Sequence, residues 1–117
     1  MEKLTAPSFT VYYPIMPKIF TGAKMFKRTM QDFRSAFPDS SLQIEDEIAE
    51  DDKVVVKWTF SGTHRGLFMN FPATDKKVTW TGIPINKITD GNIVLERGEE
   101  DFLGFLRQIN AVPNNLL

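Results

Sequence analysis

From Leu42 onward the apolar residues recur every second position, and this change of period restricts the fold more than any other feature of the chain. "LQIEDEIAE" sets Leu42, Ile44 and Ile48 against Gln43, Glu45 and Glu47, the pattern of a half-buried strand. "VVVKWTFSGT" repeats it, with Val54, Val56, Trp58 and Phe60 opposing Val55, Lys57 and Thr59. A third run, "VTWTGIPINKI" at 78–88, contains Gly82 and Pro84, where a bulge or bend is expected. A fourth, "NIVLERGEE", follows Asp90–Gly91, the dipeptide of a tight hairpin. The turn "EDDK" at 50–53 and the Asp-Gly turn are too short for crossover connections, so the runs predict an antiparallel sheet.

Helical spacing brackets the strands. Phe26, Met30, Phe33 and Phe37 predict a helix over Thr21–Phe37, stopped by Pro38. Phe102, Phe105, Leu106 and Ile109 predict a second helix near the C-terminus. Ahead of both, a short extended piece at Phe9–Tyr13 is expected to break at Pro14 and Pro17. Helix, strands, helix is an α+β arrangement, read as one domain over residues 1–117.

Composition narrows the function by exclusion. A net charge of −1 leaves no electrostatic footprint for nucleic acid or an anionic membrane surface. The absence of cysteine removes disulfides, thiolate metal sites and cysteine nucleophiles, and fits a reducing, cytoplasmic compartment. No run reaches the roughly 18 apolar residues of a membrane span, and no signal-peptide core is present. No HExxH, GxSxG or GxxxxGK[ST] occurs, and one histidine, His64, stands in a loop after a strand, where bonding to turn backbone is its ordinary role. A metal is therefore not expected.

Carboxylates remain as the supply of acid–base groups. Glu96, Glu99, Glu100 and Asp101 cluster where strand meets helix, with Glu96, Gly98 and Glu100 on one strand face and Leu95, Arg97 and Glu99 on the other. Asp101 at the helix start has an ordinary role as N-cap, which favours its charged form. Burial among aromatics would favour the neutral one. Aromatics make up 12% of the chain, enough to fill a core or to line an apolar pocket.

"FPDSSLQIEDEIAEDDKVVVKWTFSGTHRGLF" at 37–68 resembles the signature of the SnoaL-like polyketide cyclase family of the NTF2-like superfamily. "PATDKKVTWTGIPINKITDGNIVLE" is similar to the family's following strands and Asp-Gly turn, and "DFLGFLRQIN" to its closing D-x-x-G-L-L-x-Q-L-G. The resemblance implies an NTF2-like, cystatin-like cone, a curved antiparallel sheet with helices on its concave side, often a homodimer. With eight residues before Phe9, the family's first helix is expected to be missing. It further implies cofactor-free aldol or proton-transfer chemistry on a small hydrophobic carbonyl compound, with Asp101 as general acid–base. Where the family carries histidine and tryptophan, this chain has Glu96 and Arg97, and two acids at 96 and 101 can share one proton. Near the N-terminus "SFTVYYP" aligns with the family's F-V-x-H-N-P and puts Tyr12 and Tyr13 at the polar pair. The expected site is thus Asp101 and Glu96 for catalysis, with Tyr12, Tyr13, Phe26, Trp58, Trp80 and Arg97 around the ligand. The alternative is a non-catalytic ligand-binding or dimerising module on the same fold. A third reading, an epoxide hydrolase, rests on Arg97 sharing a strand face with Glu99.

Overall fold

The computed structural model describes residues 5–13 and 20–113. Its elements are β1 (Thr5–Tyr12), β2 (Phe20–Thr21), α1 (Ala23–Ala36), β3 (Ser41–Glu50), β4 (Lys53–Thr63), β5 (Lys77–Thr89), β6 (Asn92–Glu100) and α2 (Phe102–Gln108). The strands form one sheet in the order β2-β1-β6-β5-β4-β3. The expected helix over Thr21–Phe37 is present as α1, which begins after Gly22 and ends at Phe37, beside Pro38. The chain breaks expected at Pro14 and Pro17 lie outside the described residues.

The four long strands form an antiparallel meander, as their short turns require. The Asp90–Gly91 turn takes positive φ at both residues (53° and 78°), the backbone that lets a two-residue hairpin follow the sheet's twist. The sheet as a whole is mixed, however: β1 runs parallel to β6. That pairing corrects the all-antiparallel expectation. The connection from β1 to β6 passes through α1 and the strands β2 to β5, long enough for a parallel return.

Two further expectations are corrected by register. Ile44 pairs with Trp58 but Asp46 with Lys57, so Glu45 is an extra residue in β3. A one-residue slip reverses the faces. Leu42 and Ile44 therefore stand opposite Phe60 and Trp58, whereas Ile48 stands opposite Val55 on the other side. The register of β4 on β5 is the same at Val55↔Ile85 and at Trp58↔Gly82, so no bulge occurs at Gly82 or Pro84. On the β6 side the shift falls at Lys87/Ile88 instead.

The main core gathers Ala36 and Phe37 from the end of α1, Phe60, Val78 and Trp80 from the sheet, and Phe102, Phe105 and Ile109 from the C-terminal segment. A smaller cluster joins Val11, Tyr13 and Phe26. His64 is fully buried, stacked on the Phe37 ring, and its N–H and C=O bond to Lys76, Thr74 and Asp75. It pins the 64–76 loop to the end of β4. No helix among the described residues is long and apolar enough to cross a membrane.

Candidate active site

Directly paired residues of antiparallel strands project to the same side of a sheet. Phe60, Trp80 and Val78 bury one side, and on that inner side Asn86 pairs with Glu96, Pro84 with Gly98, and Gly82 with Glu100. Two carboxylates thus project inward from β6, separated by a glycine. Tyr13, at the end of β1, lies against that glycine: a Cβ on Gly98 would stand 2.9 Å from Tyr13 Cε1. The Trp58 indole covers Gly82 in the same way and would collide with any side chain there. The pair of glycines lets two rings lie on the sheet beside the two acids.

Tyr13 donates its phenolic hydrogen to Glu96 Oε2 at 2.6 Å, a bond between residues 83 apart in sequence. The Trp58 indole lies beside the same phenol. Burial, then the charge of Glu96, pushes the Tyr13 phenol far above its ordinary range, so it stays a donor. Glu96 is also raised, because burial outweighs the bond from Tyr13, which favours the carboxylate. Glu100 is pushed up to about 7 by burial and by the neighbouring Glu96 charge, against a lowering influence of the Trp80 indole. Trp80 Nε1 itself does not reach hydrogen-bonding geometry with any atom of the described residues, although the residue is 2% exposed. Asn86, 8% exposed, gives Nδ2 to the Val54 carbonyl at 3.4 Å, and its Oδ1 has no partner among the described residues.

The structure brings together Glu96, Tyr13, Trp58 and Trp80 from the expected set, with Phe26 packed on Tyr13 from α1. It places the others elsewhere. Arg97 and Tyr12 are paired with each other and alternate out of phase with Glu96 and Tyr13, so both are exposed on the outer face. Arg97 lines an outer groove of about 250 Å³ with Lys53, Ile85, Lys87 and Leu95. Glu99 shares that face, which takes the expected epoxide-hydrolase pair out of the interior. Asp101 is exposed, and its Oδ1 accepts from the Gly104 amide at 2.9 Å as the N-cap of α2. Glu100 and Asn86 were not expected at the site. The signal for Asn86 was its phase, two residues beyond Pro84 in the buried set of β5.

A curved sheet closed by two helices, with acids and aromatic rings on its inner face, defines an NTF2-like α+β protein. Within that class the chain belongs to the SnoaL-like polyketide cyclase family, whose model matches residues 1–109. It is 30% identical over 92 residues to nogalonic acid methyl ester cyclase of Streptomyces nogalater, spanning 78% of this chain and 69% of that one. Among solved structures, TsrD of Streptomyces laurentii is similar at 29% identity with a TM-score of 0.85, over 95% of this chain and 81% of that one. AclR of Streptomyces galilaeus, a candidate hydroxylase, is similar at 27% identity with a TM-score of 0.81, over 96% and 69%.

Proposed function

We propose that the chain catalyses cofactor-free proton transfer of the cyclase type on a small hydrophobic carbonyl compound held against the inner face of the sheet. What supports this reading most is the buried hydrogen bond from Tyr13 to Glu96. It orients a carboxylate whose basicity is raised by desolvation, the property that abstraction of a proton alpha to a carbonyl requires. Glu96 takes that proton, the electron pair passes into an enolate, and the enolate carbon can then attack a second carbonyl of the same molecule. Trp58, Trp80 and Phe26 supply the apolar walls that hold such a substrate folded and exclude water. Ring closure is the activity named for the relative from Streptomyces nogalater. A homodimer belongs to the same reading, since Leu42 and Ile44, on one face of the edge strand β3, are each more than half exposed.

The test is exchange of the alpha protons of 2-tetralone in D2O, followed by NMR. Wild type is expected to accelerate exchange, and Glu96→Gln to lower the rate by about 100-fold or more. The exposed position of Asp101 favours the second reading, a module that binds without turnover. Saturable binding of 2-tetralone with exchange equal to the buffer rate would establish that module instead.

A further inference from the structure

We propose that Glu100 is the general acid of the site, giving its proton to the substrate oxygen on which charge collects while Glu96 removes a proton from carbon. This rests on the reading of Glu96 as the base. The two carboxyls project from one strand on the same inner face, and the Tyr13 ring lies on the glycine between them. They are not equivalent. Glu96 accepts a hydrogen bond from a phenol that cannot readily ionise, which fixes it as the charged member. Glu100 has no phenol donor; burial outweighs the lowering influence of the Trp80 indole, and the charge of Glu96 opposes a second charge beside it. Environments that push two acids apart in this way assign one as acid and one as base. Near neutral pH Glu100 is present in both forms, as its shift to about 7 requires.

A second observation points to a ligand at the same place. Among the described residues the buried Trp80 N–H reaches hydrogen-bonding geometry with no acceptor, and the group whose charged form it favours is Glu100. A buried indole N–H left without an acceptor costs free energy that a ligand oxygen can recover. An oxygen seated there would lie within reach of the Glu100 carboxyl. Among the described residues, the charge acting on Glu100 is that of Glu96 from β6; Tyr13, just beyond β1, feels the Glu100 charge and stays neutral, and Trp58 and Trp80 from β4 and β5 carry no charge. Asp101, next in the chain, is turned outward into its cap.

The step balances without any further reagent. The alpha C–H bond breaks and its proton goes to a Glu96 oxygen. The electron pair moves into the carbon–carbon bond as the carbonyl oxygen becomes negative. The Glu100 O–H bond breaks to protonate that oxygen, leaving an enol, a neutral Glu96 and a charged Glu100.

The experiment measures 2-tetralone exchange as a function of pD for wild type, Glu96→Gln and Glu100→Gln. Wild type is expected to give a bell, with the alkaline limb near neutrality as Glu100 loses its proton. Glu100→Gln is expected to lower the neutral rate by about 10-fold to 100-fold and to abolish the alkaline limb. A wild-type rate and alkaline limb in Glu100→Gln, with exchange lost in Glu96→Gln, overturns the role of Glu100 and leaves the base assignment standing. Unchanged exchange in both variants overturns the reading of the whole site. Carboxyl ¹³C titration of the folded proteins provides a readout free of turnover. Glu100 is expected to titrate near neutrality in wild type and lower in Glu96→Gln, and an ordinary glutamate titration in wild type contradicts the proposal.

Discussion

At Gly82 and Gly98 the inner face carries no side chains, and the space is taken by the rings of Trp58 and Tyr13. Gly82→Ala puts a methyl group into the Trp58 indole, whose position is also fixed by the main core. Overpacking of this kind costs about 1–3 kcal/mol, so a lower Tm in thermal unfolding is expected. The alternation of β6 made the inward grouping of Glu96, Gly98 and Glu100 legible in the sequence. Which of its faces was interior was not, because neither face is predominantly apolar. Arg97 therefore reads as a ligand neighbour in the sequence and Glu100 does not, whereas Tyr12 enters through the family resemblance of "SFTVYYP".

Among the elements, α2 shows how a short motif can be read for two different ends. Asp101 caps the helix, and the glycine three residues on leaves room for the carboxylate, which a Cβ at Gly104 would strike. The D-x-x-G spacing is thus accounted for by capping geometry. Asp101→Ala is expected to lower stability by roughly 1 kcal/mol, while Asp101→Asn, an equally good cap, leaves it nearly unchanged. With Glu96 as base, Asp101→Asn also retains 2-tetralone exchange; loss of exchange in a fully folded Asn variant would move the acid–base role to position 101. The earlier "FPD" and "GTH" stretches have a comparable explanation. Asp39 accepts from the Thr63 amide at 2.7 Å and from the Thr63 hydroxyl at 2.6 Å, tying the end of α1 to the end of β4. Strand existence was legible from period alone. The extra residue at Glu45 was not, since a bulge leaves the residue types unchanged and only moves their partners.

Over the whole molecule, two sets of acids set opposite dependences of stability on pH. Asp39 is held below its ordinary value of 3.8 by the two bonds from Thr63. Its contribution is present above that value and disappears as pH falls through the folded one. Glu96 and Glu100 bind protons more tightly when folded, so the native state gains from their protonation. For Glu100 this gain is complete below the ordinary value of 4.5 and is lost as pH rises to about 7. Calorimetric Tm is therefore expected to fall between those two values in wild type. Glu100→Gln is expected to flatten much of that fall and to exceed wild type at pH 8, whereas Asp39→Asn weakens the fold chiefly above pH 4. The β1–β6 pairing was the least legible feature at this scale, because a short strand flanked by prolines has no local signal for a partner far along the chain.

That pairing also orders events in time. The meander from β3 to β6 can grow by joining neighbours across short turns, each closing a small loop. Tyr13 and Glu96 meet only when two positions 83 apart along the chain have been drawn together. During synthesis the phenol is made early and waits for its carboxylate until nearly the whole sheet has been translated. Competence for proton transfer is then the last property the folding chain acquires, and recovery of exchange on refolding should trail the return of sheet structure.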